Sequence, residues 1–122
     1  MRKLLLALAV SALAAYAANV TGKWSGSFID TTDGQAKNDT AYMLLTQNGS
    51  NITGSVGPSA DHQLPIKTGT IDGNKVKLEV VPPGDPAIIF ELTLDGDRMT
   101  GDAHGESDGQ KKTAKIDVKR EP

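Results

Sequence analysis

The stretch from Arg98 to Lys119 decides the fold, and it reads RMTGDAHGESDGQKKTAKIDVK. Asp108-Gly109 lies at its centre, and this dipeptide favours the two-residue turn of a β-hairpin. A turn there puts small or apolar residues opposite each other on one face: Met99 with Val118, and Gly101 with Ile116. The other face then carries cross-strand pairs of opposite charge, which stabilise the hairpin: Asp102 with Lys115, and Glu106 with Lys111.

The same combination of turn dipeptide and alternating strand repeats along the chain. Asn-Gly or Asp-Gly occurs five times, at Asp33, Asn48, Asp72, Asp95 and Asp108. The alternation between these turns predicts eight strands: Val20–Ile29, Thr40–Gln47, Asn51–Gly57, Ile66–Ile71, Lys75–Val81, Ile88–Leu94, Arg98–Glu106 and Lys111–Lys119. We therefore predict an all-β fold, an eight-stranded antiparallel up-and-down meander that closes as a barrel, with a two-sheet β-sandwich as the alternative.

The turns also predict a register for each hairpin if the dipeptide supplies both loop residues. The first and last turns place Trp24 opposite Met43, and Gly101 opposite Ile116. The three central turns place Leu45 opposite Ile52, Gly69 opposite Val76, and Leu92 opposite Met99. Six glycines fall on the inward face and favour a tightly curved sheet: Gly22, Gly26, Gly54, Gly69, Gly101 and Gly105.

Residues 1–17 have the pattern of a signal peptide, which we expect to form a helix before cleavage. Arg2 and Lys3 precede an apolar run from Leu4 to Ala14, and Ala15-Tyr16-Ala17 fits a small-x-small cleavage site. The run is shorter than the ~20 residues that cross a bilayer. We expect a single barrel domain over residues 18–122, secreted or periplasmic after cleavage near Ala17, with no membrane span.

The composition argues against most chemical functions. The chain has no cysteine, which excludes disulfides, thiolate metal sites and cysteine nucleophiles. A net charge of −2 is not the charge of a nucleic-acid-binding protein. No phosphate-binding loop or dinucleotide fingerprint occurs, so we expect no cofactor. The sequence therefore favours a binding protein over an enzyme.

Two groups of polar residues are candidates for catalysis or metal binding. Asp102, His104 and Glu106 share one face of a strand, but neighbours on that face are ~6.6 Å apart and cannot converge on one ion. We therefore expect no metal site. His62 lies beside Asp61 and could act as a base, but no nucleophile motif accompanies it, so we expect no catalytic residues.

One end of the predicted barrel carries two long connections, Pro58–Pro65 and Pro82–Ala87, and binding residues usually sit on such loops. The inward residues near this end are mostly apolar and are our predicted ligand-binding residues: Phe28, Asp39, Val56, Lys67, Val80, Ile88 and Lys112. They predict a small, partly apolar ligand, whose head could be anionic and meet Lys67 or Lys112. Alternatively, both lysines simply reach water from the strand ends.

The alternative function is a protein-interaction module, such as a protease inhibitor or an envelope assembly factor. Tyr42, Leu44 and Ile89 are apolar residues on the outward face, and a cluster of the three would favour this alternative. An ordered N-terminal arm would favour it as well. In either case we expect a monomer whose partner is a small molecule or another protein.

The start of the first strand, Gly22-Lys23-Trp24-Ser25-Gly26-Ser27-Phe28, places the only tryptophan between glycines, which favours a core plug at the end with tight turns. The stretch resembles the Gly-x-Trp opening of the calycin group, which includes lipocalins, avidin-like proteins and bacterial barrel-type metalloprotease inhibitors. The resemblance implies an antiparallel barrel closed at one end by Trp24, with a structural role for Gly22. The chain lacks the disulfides of many lipocalins and the tryptophan-rich pocket of biotin binders.

Overall fold

The computed structural model describes residues 19–32, 36–107 and 109–122, and the predicted signal peptide lies outside this part of the chain. The described chain forms a closed barrel in which each strand pairs with the next and the last pairs with the first. This confirms the predicted antiparallel meander and excludes the sandwich. The strands are β1 (Gly22–Asp30), β2 (Lys37–Asn48), β3 (Asn51–Ser59), β4 (His62–Asp72), β5 (Lys75–Val80), β6 (Ile88–Asp95), β7 (Arg98–Ser107) and β8 (Gln110–Arg120).

Two of the five predicted registers are confirmed, and three differ by two residues. Trp24 lies opposite Met43, and Gly101 lies opposite Ile116, as the first and last turns predict. In the three central hairpins the observed pairs are Leu45 with Gly54, Gly69 with Leu78, and Leu92 with Gly101. A shift of two residues does not move a side chain to the opposite face of the sheet, so the difference in register by itself changes no inward or outward assignment.

The shift arises because the loops of the three central hairpins begin at the glycine. Gly49, Gly73 and Gly96 have φ angles of 67°, 62° and 62°, and the preceding Asn or Asp is the last residue of its strand. Both turn types that suit hairpins need a positive φ at the first loop position, which glycine adopts without steric cost. The loops are therefore Gly-Ser, Gly-Asn and Gly-Asp, which are also common hairpin loops.

Inward glycines let neighbouring strands approach closely where the sheet curves. A Cβ atom at Gly26 would overlap the carbonyl oxygen of Asp117 on β8, and one at Gly101 would overlap that of Glu91 on β6. Strands that touch in this way bend the sheet more sharply than side chains would allow. The inward glycines thus help eight short strands to close.

The predicted long connection from Pro58 to Pro65 is wrong, because β3 and β4 continue through it and leave only residues 60 and 61 as the loop. The pairing is irregular between Val56 and Ser59, and this irregularity accommodates Pro58. The side-chain amide of Gln63 adds hydrogen bonds at this irregularity: its Nε2 atom donates to the carbonyls of Tyr42 (3.1 Å) and Ser59 (2.8 Å). The alternation of the sequence does not predict these hydrogen bonds between a side chain and the backbone.

Candidate functional site

One end of the barrel is closed by Trp24 and the segment before β1. Trp24 and Val20 are completely buried, and the indole Nε1 atom donates a hydrogen bond of 2.8 Å to the Val20 carbonyl. The Val20 amide in turn donates to the Gln47 side chain at 3.0 Å. The described residues before β1, 19–21, therefore pack against the end of their own barrel.

The Arg120 guanidinium covers the outside of this plug. Its Cζ atom lies 4.5 Å from the centre of the Trp24 ring. Its Nη atoms donate to the carbonyls of Thr21 (2.6 Å) and Asn19 (2.7 Å), and its Nε atom donates to Asp97 (2.9 Å). Gly22 keeps this space free, because a Cβ there would lie 3.4 Å from Arg120 Nη1 and its φ is 143°. Sequence reasoning missed Arg120, because its position depends on β1 pairing with β8.

The interior is filled at the closed end and partly empty at the other, which we call the mouth. Small inward residues lie towards the mouth on three strands: Ala41 on β2, Ala103 and Gly105 on β7, and Ala114 on β8. Well-packed interiors rarely contain voids larger than a water molecule. The small residues leave space that the remaining side chains do not fill.

Two cavities occupy this space. Cavity 1 has a volume of about 170 Å³; Ala103 and Ala114 contribute to its inner wall, and Pro82, Asp85 and Pro86 of the β5–β6 connection line its outer part. Pro83 and Gly84 shape that connection: Asp85 N donates to Pro82 O at 3.2 Å, and Gly84 has a φ of 78°. This arrangement is typical of a type II turn and makes the connection stiff.

Cavity 2 has a volume of about 220 Å³ and lies on the side of β2 and β3. Its buried wall is wholly apolar and is formed by Ala41, Met43, Val56, Val80 and Phe90. Half-buried Leu64 of β4 completes that wall, while Asp39 and Pro58 are exposed and mark its entrance. Sequence reasoning missed the small residues, although the inward alternation that includes Met43 also includes Ala41.

The structure brings six of the seven predicted ligand-binding residues to these cavities. Asp39, Val56 and Val80 line cavity 2, and Lys112 lines cavity 1. Phe28 and Ile88 line both.

Lys67 lines neither cavity, and the expectation that it points inward is wrong. It is exposed, and it falls at a register shift where Ile66 pairs with Val80 and Thr68 pairs with Glu79. The extra residue at this bulge reverses the alternation, so Ile66 packs against the core in its place. Of the two predicted lysines, only Lys112 therefore lines a cavity.

Charges of both signs surround the outer part of cavity 1. Asp30, Asp85 and Glu106 line it together with His104 and Lys112. Hydrogen bonds from the Thr32 hydroxyl (2.6 Å) and amide (2.9 Å) hold the pKa of Asp30 below its ordinary value, and the charge of Lys112 lowers it further. Asp30 therefore stays ionised at neutral pH and offsets the positive charge of Lys112.

Of the other polar candidates, His104 and Glu106 line the outer part of cavity 1, whereas His62 and Asp102 line neither cavity. The His62 Nδ1 atom is 3.1 Å from the Ser59 hydroxyl on the exposed β3–β4 hairpin, and neither residue lines a mouth cavity. His104 contacts Glu91 at 3.7 Å, and Asp102 contacts Lys115 at 3.8 Å, across neighbouring strands. Within residues 19–32, 36–107 and 109–122, no group of three potential ligands could hold a metal ion.

The outward apolar residues do not form one patch. Tyr42 and Leu44 lie on β2 and Ile89 lies on β6, with three strands between them in either direction around the barrel. In the same described part of the chain, no helix is long and apolar enough to cross a membrane.

Comparison of the chain with protein-family models, with curated proteins and with solved structures finds no match.

Proposed function

We propose that this protein binds a small, largely apolar molecule at the mouth of the barrel. The observation that carries the proposal is the pair of cavities, whose buried walls consist of apolar side chains. An apolar cavity of ~150 Å³ is large enough for benzene, so each of the two can hold a molecule of that size.

The polar end of the ligand would lie at the entrance. Lys112 supports an anionic group at cavity 1, but the carboxylates of Asp30, Asp85 and Glu106 beside it oppose one. Asp39 is the charged residue at the entrance of cavity 2. The proposal therefore rests on the apolar part of the ligand, and it assigns the anionic head to Lys112 alone.

The proposal also places the protein outside the cytoplasm, because residues 1–17 have the pattern of a signal peptide. The resemblance to calycins belongs to the same proposal. It is supported by a closed antiparallel barrel and by Trp24 at its closed end. Binding without catalysis fits the lack of a nucleophile motif in the sequence.

The test is a titration of the ¹⁵N-labelled mature protein with toluene, followed by two-dimensional NMR. We expect saturable shifts at the amides of Val56 and Val80, and none at the Trp24 indole. Ala41→Leu should abolish those shifts at cavity 2, because the added side chain fills it. Thr46→Leu puts the same side chain on the exposed face of the same strand and serves as the matched control.

A folded wild-type protein that shows no saturable shifts at the mouth would refute the proposal. Equal effects of the two leucine variants would also refute it, because binding would then depend on stability rather than on the cavity. Mass spectrometry of the intact protein from its own host, under native conditions, would identify the natural ligand and the cleavage site.

A further inference from the structure

The two cavities have a common wall made of two side chains. Phe28 on β1 and Ile88 on β6 are the residues that line both cavities, and every other lining residue belongs to one of them. A side chain that lines two separate cavities lies between them. We infer that Phe28 and Ile88 divide the mouth into two compartments and thereby limit the ligand to molecules whose apolar part fits one compartment.

The wall is less firmly packed than the core beneath it. Phe28 and Ile88 are half-buried and pack against the core, whereas Met43 and Phe90, which line cavity 2 beside them, are buried. The inward position below Phe28 on β1 is Gly26, which has no side chain to support the ring. The inward neighbour of Ile88 on β7 is Gly105, at which an added Cβ would lie 3.3 Å from Ile88 Cγ1.

The inference rests on the proposed function and adds a size limit to it. A molecule with one ring or a short branched chain fits one compartment of 170–220 Å³. A molecule with two or three fused or linked rings needs the space of both, and therefore needs the wall to be absent. Phe28 and Ile88 are thus specificity-determining residues.

The test compares two neutral probes of different size, toluene and N-phenyl-1-naphthylamine. The second is the larger probe, and its fluorescence rises when it enters an apolar site. We expect the wild-type protein to bind toluene, detected by NMR as above, and to bind the larger probe weakly. Phe28→Ala and Ile88→Ala should each bind the larger probe at least tenfold more tightly, because each opens the wall from one side. Leu44→Ala removes a comparable side chain from the outer face and should change neither affinity.

Phe28→Leu is a milder variant with a smaller expected gain, and it serves if the alanine variants do not fold. The inference is overturned if the folded wall variants bind the larger probe no more tightly than the wild type, or if Leu44→Ala gives the same gain. It is also overturned if the wild type already binds both probes equally well. A wild-type protein that binds no toluene refutes the proposed function instead, and the gain in the variants still decides whether the wall exists.

Discussion

Arg120→Ala should destabilise the barrel by about 2–4 kcal/mol. The guanidinium lies over the Trp24 ring, and a partly desolvated cation–π contact contributes ~1–2 kcal/mol. Its two bonds to the Thr21 and Asn19 carbonyls are charge-assisted, at ~1.5 kcal/mol or more each. The ion pair with Asp97, which is 81% exposed, adds ~0–1 kcal/mol. The side-chain entropy released on truncation offsets ~2 kcal/mol of the total.

The assay is urea unfolding of the mature protein. Trp24 is the only tryptophan and reports unfolding by fluorescence, and far-UV circular dichroism is recorded in parallel because Arg120 touches the ring. Arg98→Ala is the matched control, since Arg98 also pairs with an aspartate, Asp117, through two hydrogen bonds, but its side chain is 54% exposed. A loss for Arg120→Ala no larger than that for Arg98→Ala would refute the conclusion that Arg120 holds the plug.

Three further predictions follow from the charges and the packing. In calorimetric titrations, Lys112→Gln should weaken the binding of hexanoate about two- to fivefold relative to that of hexanol, because it removes one screened charge pair. Lys67→Gln should change the affinity for neither molecule. Hydrogen bonds from Arg98 hold the pKa of Asp117 below its ordinary value of 3.8, so their stabilisation is present above that pH and is lost as the pH falls through the lowered pKa. Asp117→Asn should therefore flatten the fall of Tm between pH 4 and pH 2. Ala103→Val should raise Tm and weaken toluene binding to cavity 1, because it fills part of that cavity.

The fold could be predicted because the barrel alternates strictly along most of its strands. For the hairpin of β7 and β8, the pairs predicted from the Asp108-Gly109 dipeptide are the observed ones. At Asn48-Gly49 the glycine begins the loop, and the sequence alone does not decide between the two placements because Asn-Gly and Gly-Ser both suit hairpins. Because the observed registers differ from the predicted ones by two residues, the wrong registers moved no side chain to the opposite face of the sheet.

The binding site could be predicted where alternation is regular and not where it is interrupted. Phe28, Val56 and Ile88 lie at the mouth because each obeys the alternation of its strand. Lys67 does not, because a bulge inserts one residue into β4, and no dipeptide marks that bulge. The role of Arg120 required knowledge of how the first and last strands pair, which hairpin turns do not contain.

The inward positions of the alternating strands supply both the side chains of the core and those that line the cavities. Closure of eight strands fixes the width of the interior, so every layer of inward side chains has nearly the same cross-section available to it. The layer around Trp24 fills this cross-section with large side chains. The layer nearer the mouth contains Ala41, Ala103 and Ala114 and leaves part of it empty. Larger apolar residues at these three positions would bury more surface and would stabilise the barrel. Space kept at the expense of stability is typical of a functional site, and it lies at the end that Trp24 and Arg120 leave open.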